Sequence, residues 1–293
     1  MRSSYIYRIH KMVAKHIGAH IAKEGTTLNT MKKITASGGN ALQLFASNPR
    51  SIQPANVNKF REESKAIIQY CKENNFALVI HAPYTINLAK ELKQGKRCLD
   101  YVDCYSVNLI LNNLEVSDII NAIGVVFHVG KHTTLSQQDG LNNMYNAMKY
   151  IIQKMKEKNI KSKLIIETPA GAGTELLTNI EGFIDFYNSF SAEEKKYMGI
   201  CLDTAHIWSS GYNLNEYYNL ICKTNATDIA VIHFNNSKKD KGSCVDVHET
   251  IFNGKIDIND LKTFIKNVKH NPVIILEKPS VDMNADFVWI RNA

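Results

Sequence analysis

Eight short runs of apolar, mostly β-branched residues recur along the chain, and segments with apolar residues at helical spacing separate them. Apolarity within each run is continuous rather than alternating, which indicates strands buried on both faces, as in a parallel sheet. Eight such strand–helix units predict a single-domain α/β fold, a (β/α)8 TIM barrel. A doubly wound open sheet fits the periodicity equally, although no GxGxxG motif follows the first run. The runs are His16–Ile21, Ala41–Ala46, Ala77–His81, Gly124–His128, Lys163–Glu167, Met198–Asp203, Asp228–His233 and Pro272–Glu277.

Helical spacing of apolar residues predicts helices between these runs. Gly38 and Gly39 end the first of them, and the third is predicted to be one long helix with a polar outer face. No linker, repeat or low-complexity tract divides the chain, so residues 15–293 are predicted to form one barrel domain. Residues 1–14 are predicted to be a basic N-terminal extension, although a transit peptide has a similar composition. The predicted helices are Thr27–Ser37, Val57–Asn75, Leu88–Val116, Leu141–Lys158 and Asp260–Val268.

Composition limits the possible classes of protein but does not identify a binding partner. The chain has 293 residues, 44% of them hydrophobic, which is enough to bury one large core. No run of 18 apolar residues occurs, so no membrane span is predicted. The formal net charge of +7 suits a polyanionic partner, although the Lys-rich composition typical of AT-rich genomes explains it equally. The six cysteines are scattered without a CxxC pair, which favours free thiols and an intracellular location (cytoplasm, nucleus or virion).

Metal-ligand residue types stand at the ends of six of the eight predicted strands. Taken singly, each has a simpler explanation: a strand-end His is often a core residue, and a strand-end Asp often caps the next helix. Recurrence at six strand ends is poorly explained by independent accidents. Because the carboxyl ends of parallel barrel strands converge on one mouth, these side chains are predicted to share a cavity. They are His81, His128, Glu167, Asp203, His233 and Glu277, joined by His206 and by Asp246 and His248 in the loop after the seventh strand.

So many ionisable groups in one cavity require counter-charge, which divalent cations supply. A set of His and carboxylate ligands without Cys suits Zn²⁺, and also Mn²⁺, Co²⁺ or Fe²⁺. Cys201, next to Leu202 on the sixth strand, is predicted to pack rather than to bind metal. Nine ligands with one bridging carboxylate match three ions, and clustered ions of this kind act on phosphate esters.

The ordered set of motifs resembles endonuclease IV, the zinc-dependent apurinic/apyrimidinic (AP) endonuclease family of DNA base excision repair. The resemblance extends from His16 to Pro279, nearly the whole chain. The motifs that carry it are His81-Ala82-Pro83-Tyr84 with Ile86-Asn87-Leu88, Phe127-His128, Glu167-Thr168-Pro169-Ala170-Gly171, Cys201–His206, His233-Phe234-Asn235, Asp246-Val247-His248 and Glu277.

The resemblance implies a three-zinc centre that hydrolyses the phosphodiester bond 5′ to an abasic site, leaving 3′-hydroxyl and 5′-deoxyribose phosphate ends. It implies double-stranded abasic DNA as the partner, and a monomer is the default expectation for the chain. Glu167, Asp203 and His206 are the implied catalytic residues. The first ion would be held by His81, His128 and Glu167, the second by Glu167, Asp203, His233 and Glu277, and the third by His206, Asp246 and His248.

The same resemblance places DNA contacts in two loops. Arg50 and Tyr84, with Thr85, match positions that the family uses to bend the duplex and to fill the gap left by the missing base. Thr85 departs from the apolar residue usual there. Val247 stands where the family often has Arg, and Asn236 stands where Asp is usual. These departures indicate a divergent member, from a virus or an AT-rich microbe, and bear on DNA affinity rather than on the ligand set.

Two other classes of function remain open for such a barrel. A xylose-isomerase-like sugar isomerase or epimerase also gathers Glu, Asp and His at strand ends, but it needs one or two metals. The third ligand set therefore favours the nuclease. A non-catalytic DNA-damage sensor on the same scaffold is disfavoured because every ligand position is filled.

Overall fold

The described residues (16–94, 97–98 and 100–293 of a computed structural model) form a closed barrel of eight parallel strands. Each strand pairs with the next one along the chain, and β8 pairs with β1. The closed barrel confirms the predicted TIM barrel and excludes the open-sheet alternative. The strands are β1 (Ile17–His20), β2 (Ala41–Phe45), β3 (Ala77–His81), β4 (Gly124–His128), β5 (Lys163–Glu167), β6 (Met198–Asp203), β7 (Ile229–His233) and β8 (Val273–Leu276).

Ten α-helices in the described ranges surround the barrel and connect its strands. Short side-chain caps begin several of them; for example, Ser191 and Glu194 form a reciprocal capping box at the start of α6. No helix among the described residues combines the length and apolarity that crossing a membrane requires. The helices are α1 (Thr27–Ala36), α2 (Val57–Asn74), α3 (Tyr105–Ile119), α4 (Gln137–Glu157), α5 (Ile180–Asn188), α6 (Ala192–Lys195), α7 (Thr204–Ser209), α8 (Leu214–Asn225), α9 (Ile258–Asn267) and α10 (Met283–Asn292).

Smaller elements complete the chain. Two 3-10 turns span Tyr101–Asp103 and Ala226–Asp228. Two antiparallel hairpins pair Lys93–Gln94 with Arg97–Cys98, and Asn236–Ser237 with His248–Glu249. The predicted extension, residues 1–14, lies outside the described residues, so the domain boundary at residue 15 stays a prediction.

The predicted helix Leu88–Val116 is wrong in its first half. A hairpin and a 3-10 turn occupy that part, and α3 begins only at Tyr105. The sequence contains Gly95 in the middle of the stretch, and Gly is a poor helix former. The predicted polar outer face holds for α3, because about half of the helix is buried and polar residues such as Asn108 and Glu115 lie on its less buried side. The buried side of α3 packs against α2, α4 and β4 of the barrel.

Apolar side chains form two layers, one inside the barrel and one between the strands and the helices. Cys201 lies in the inner layer and is fully buried, on the same strand face as Asp203 two residues later. The inner layer closes the lower part of the barrel. The strand-end side chains above it therefore face the mouth at the carboxyl ends of the strands, where barrel enzymes place their chemistry. The inner layer consists of Ala41, Ala77, Val79, Val126, Ile165, Cys201, Val231, Val273 and Ile275.

Candidate metal centre

All nine predicted ligands lie at the carboxyl-terminal mouth of the barrel. Five of them end strands β3 to β7, and Glu277 follows β8 directly. His206 stands in the first turn of α7, and the loop after β7 supplies Asp246 and His248. The nine side chains fall into three groups that overlap at Glu167 and Asp203.

The first group contains His81, His128 and Glu167, whose ligand atoms lie within 4.8 Å of one another. The Nε2 atoms of His81 and His128 are 3.5 Å and 3.6 Å from Glu167 Oε2. His81 Nδ1 donates to the carbonyl of Ala82 at 2.8 Å, so the neutral ring carries its proton on Nδ1. The lone pair of Nε2 then faces a carboxylate oxygen, an arrangement that a cation between the two atoms would stabilise.

The second group contains Glu167, Asp203, His233 and Glu277. His233 Nδ1 faces all three carboxylates, at 2.8 Å from Glu167 Oε1, 3.4 Å from Glu277 Oε2 and 3.7 Å from Asp203 Oδ2. Glu167 therefore presents one oxygen to the first group and the other to the second. This is the arrangement of a bridging carboxylate.

The third group surrounds Asp246. Its Oδ1 atom lies 3.1 Å from His206 Nε2 and 3.2 Å from His248 Nε2. The Nδ1 atom of His206 donates to the carbonyl of Thr168 at 2.8 Å, which orients Nε2 toward Asp246. Asp203 also belongs here geometrically, because its Oδ2 is 3.5 Å from His248 Nε2. Asp203 thus lies between the second and third groups, whereas the family resemblance implied only the second.

Burial and mutual repulsion perturb the carboxyl groups of this cluster. Burial alone would raise the pKa of Glu167, but His128 and His233 hold it well below its ordinary value. Burial, with Glu277 and Glu167 nearby, raises the pKa of Asp203 despite the attraction of its histidine neighbours. The charged form of Asp203 is therefore the one that most needs a cation in its surroundings.

Burial and neighbouring charges shift the pKa values of the histidines in opposite directions on the two sides of the cluster. Burial lowers the pKa of His128, and the nearby Glu167 only partly offsets it. Burial would also lower the pKa of His206, but Asp203 and Asp246 raise it well above its ordinary value. Burial would likewise lower the pKa of His248, but Asp203, Asp246 and Glu277 together raise it to about 9. Without a metal ion, protonated histidines supply the counter-charge that the carboxylates require.

Three buried atoms of the cluster, Glu167 Oε2, His206 Nε2 and His248 Nε2, make no hydrogen bond of acceptable geometry with the described residues, although each lies within 3.5 Å of an oppositely charged or ionisable neighbour. Buried polar atoms without partners are costly and rare in native proteins. All three belong to the first or third group, and all three are atoms that bind metal ions. The donor set of imidazole nitrogens and carboxylate oxygens therefore fits zinc or a similar divalent ion.

Further polar side chains contact the cluster in the described structure without having been predicted as site residues; His20, Gln43 and Asn235 are among them. Asn235 Nδ2 donates to Asp203 Oδ2 at 2.9 Å and to Glu277 Oε2 at 3.1 Å. Gln43 is the single polar residue in the apolar run Ala41–Phe45, and that interruption is the signal that could have identified it.

The predicted DNA-contact residues lie on two adjacent loops at the mouth. Arg50 is exposed, and Tyr84 is 57% exposed with its ring centroid 5.7 Å from that of His81. Tyr84 N donates to the carbonyl of Pro49 at 2.9 Å, which ties the two loops together. Thr85 is half-buried, and its hydroxyl donates to the carbonyl of Ser51 at 3.0 Å. The Thr85 side chain thus braces the neighbouring loop.

Two clefts meet at Tyr84. A cleft of about 550 Å³ borders the metal-ligand cluster and includes Phe45 and Lys23, and a second of about 330 Å³ continues past Thr85 to Lys131. Tyr84 lines both. An extended ligand could therefore pass over the cluster with this ring beside it.

Asn236 has a structural role that accounts for its place in the loop after β7. It is buried, its amide donates to the carbonyls of Ile251 and Ile256, and its Oδ1 accepts from the backbone of Ser237 and Ile256. Asn236 holds the two ends of the loop that carries Asp246 and His248. Val247, between those ligands, is partly exposed at the mouth.

Comparison with known proteins gives consistent matches over nearly the whole chain. The profile of the xylose isomerase-like TIM barrel family matches residues 31–293. The chain is 30% identical to a protein of Halothermothrix orenii named probable endonuclease 4, over 277 residues that cover 90% of this chain and 93% of the relative.

Solved structures show the same fold at lower identity. Endonuclease IV from Thermus thermophilus superposes with a TM-score of 0.72 at 23% identity, over 94% of this chain and 97% of the other. A D-tagatose 3-epimerase-like protein superposes with a TM-score of 0.69 at 17% identity, over 94% and 96% of the two chains. Similarity of fold alone therefore does not distinguish a nuclease from a sugar epimerase.

Proposed function

Because the chain belongs to the endonuclease IV family within the xylose isomerase-like TIM barrels, we propose that it is a metal-dependent nuclease that incises DNA at abasic sites. The proposed reaction is hydrolysis of the phosphodiester bond 5′ to the lesion, leaving a 3′-hydroxyl and a 5′-deoxyribose phosphate. The observation that carries the proposal is the third ligand group, His206, Asp246 and His248, beside a bridged pair of groups. A one- or two-metal sugar isomerase has no use for it.

In this proposal the three groups hold three zinc ions, with Mn²⁺, Co²⁺ or Fe²⁺ as substitutes. When bound, such ions polarise phosphoryl oxygens and lower the pKa of water at neutral pH. Glu167, Asp203 and His206 are the proposed catalytic residues, since they place ligand atoms in the first, second and third groups. The remaining proposed ligands are His81, His128, His233, Asp246, His248 and Glu277.

The chain's own residues keep these ligand atoms directed inward. Backbone carbonyls hold the Nδ1 protons of His81 and His206, so both rings present Nε2 to the cluster. The backbone N–H of His206 donates to Asp203 Oδ1 at 2.8 Å, which leaves Asp203 Oδ2 for the cluster. The ligand geometry is thus set largely by neutral hydrogen bonds from outside the cluster.

The DNA contacts are proposed on the same two loops. Arg50 would pair with a phosphate, and the exposed ring of Tyr84 would stack at the site of the missing base. Thr85 is proposed to act on DNA only through its hydrogen bond to the Ser51 carbonyl, which shapes the loop that carries Arg50. The formal net charge of +7 suits a polyanionic substrate.

The test is incision of a labelled duplex oligonucleotide with one abasic site, using zinc-loaded protein and an undamaged duplex as the control. We expect cleavage only at the lesion, with a 3′ end that a DNA polymerase extends. Metal analysis should give about three zinc ions per chain. Absence of incision with zinc supplied would refute the proposal. Epimerase activity of the protein on a ketohexose would support the alternative function.

A matched variant separates the enzyme from a damage sensor. Glu167→Gln keeps the size of the side chain but removes the charge that the first two groups share, so we expect loss of incision with abasic DNA still bound. If the wild type shows no incision and the variant binds abasic DNA as the wild type does, the result would support the sensor instead.

A further inference from the structure

Gln43 is a fully buried amide in a strand whose other residues are apolar. Its side chain makes three hydrogen bonds, and two of the partners are proposed metal ligands. Nε2 lies 3.1 Å from Glu277 Oε1 and 3.0 Å from His20 Nδ1, and Oε1 lies 2.8 Å from His233 Nε2. A buried glutamine with every partner in or beside the metal-ligand cluster requires an explanation beyond packing.

The chemistry of the partners fixes which way the amide points. A carboxylate accepts hydrogen bonds and donates none at neutral pH, so the NH₂ end of Gln43 must face Glu277. The carbonyl end must then face His233. Because an amide oxygen only accepts, His233 must carry a proton on Nε2. One amide therefore determines the protonation of a histidine on the opposite side of the mouth.

This constraint leaves Nδ1 as the ligand atom of His233. Nδ1 is the nitrogen that faces the carboxylates of the second group, 2.8 Å from Glu167 Oε1. In the same way, Gln43 holds Oε1 of Glu277, while Oε2 of Glu277 faces His233 Nδ1 at 3.4 Å. Gln43 thus sets one ligand atom on each of two residues of the second group.

We propose that Gln43 is a positioning residue for the second metal ion, and this inference rests on the proposed zinc site. Gln43 fixes the tautomer of His233 and the rotation of the Glu277 carboxylate, so that Nδ1 and Oε2 converge on one ion. Partners of this kind are usually carboxylates or backbone carbonyls. A neutral amide suits this cluster better, because four proposed carboxylate ligands already stand there (Glu167, Asp203, Asp246 and Glu277).

The test is a zinc titration of metal-free protein in competition with a chromophoric chelator. Gln43→Met keeps the side-chain volume and removes all three hydrogen bonds. We expect one zinc equivalent to bind roughly 10- to 100-fold more weakly, with the other equivalents unchanged. As a matched control, Asn113→Leu removes another fully buried amide, which lies in α3 outside the cluster. It should lower thermal stability and leave all zinc affinities as in the wild type.

The second readout is NMR of ¹⁵N-histidine-labelled, zinc-loaded protein. In the wild type, long-range correlations should show His233 protonated on Nε2; in Gln43→Met we expect signals from more than one tautomer. Zinc affinities within about twofold of wild type together with the wild-type His233 pattern would overturn the inference. Equal zinc loss in Asn113→Leu would also overturn it. A wild-type protein that takes up no zinc would instead refute the proposed function, and the inference with it.

Discussion

Asp203 combines two roles that a pair of substitutions can separate. Its Oδ1 accepts from the backbone N–H of His206 and caps α7, and its Oδ2 faces the second and third groups. Asn caps a helix as well as Asp does, whereas Ala cannot. Asp203→Asn therefore removes the charge and keeps the cap, and Asp203→Ala removes both.

The expected magnitudes differ with and without zinc. In chelator, Asp203→Asn loses the hydrogen bond from Asn235, about 1 kcal/mol, and is relieved of the buried charge whose burial, with Glu277 and Glu167 nearby, raises the pKa of Asp203. Its free energy of unfolding should stay within ~1 kcal/mol of wild type. Asp203→Ala also leaves the buried N–H of His206 without a partner and should lose roughly 1–3 kcal/mol more.

In zinc, the wild type gains the linkage energy of the bound ions. One site at a free concentration of 1,000 times Kd adds about 4 kcal/mol. Both variants should lose this for each site that uses Asp203, so their Tm gap to wild type should widen by roughly 8 °C per site lost, at about 2 °C per kcal/mol.

The assay is thermal unfolding of wild type and both variants in chelator and in buffered zinc. If zinc raises the Tm of Asp203→Asn as much as that of the wild type, Asp203 is not a ligand. If Asn and Ala variants unfold together in chelator, the cap contributes nothing, and the structural assignment of Oδ1 is wrong.

Three further predictions test the barrel, an ion pair and the loop at the mouth. A Cβ at Gly18 would lie 1.6 Å from a carbonyl oxygen of β2, so Gly18→Ala should cost more than about 3 kcal/mol in urea unfolding. Gly182 lies in α5, and the nearest atom to a Cβ placed there is 3.7 Å away. Gly182→Ala should therefore be neutral or stabilising. Burial would raise the pKa of Glu194, but hydrogen bonds, first that from Lys149, hold it at about 2. Its stabilisation is present above an unfolded pKa of ~4.3 and is lost as the pH falls toward 2, so the stability gap to Glu194→Gln should shrink below about pH 4; a gap independent of pH would contradict the pairing. Thr85→Val removes the hydrogen bond to the neighbouring loop and should raise KM for abasic DNA severalfold with kcat unchanged, whereas Thr85→Ser should behave as wild type; equal behaviour of the two variants would exclude the brace.

The sequence was most informative about the strands and about what ends them. Continuous apolar runs predict buried parallel strands because burial on both faces leaves no polar alternation, and the β3, β4 and β5 bounds agree with prediction at both ends. It was least informative about the segment before α3. There Gly95 disfavours a continuous helix, and the spacing of apolar residues alone does not reveal the interruption.

The strand ends explain why the ligand types could be recognised from the order of residues alone. A parallel barrel brings the carboxyl ends of its strands to one mouth whatever the connections, so position along the chain already implies proximity. Their proximity could therefore be predicted without any distances for His81, His128, Glu167 and Asp203.

Only the tertiary structure decided which atoms of those residues face one another. Side-chain rotations decide three features of the site: the assignment of Asp203 to two groups, the hydrogen bond of the Thr85 hydroxyl to a neighbouring loop, and the contacts of Gln43. These rotations are set by partners far away in sequence, such as His233, 190 residues from Gln43. Residue types at strand ends thus determine that a polar centre exists, and packing across the barrel determines its ligand atoms.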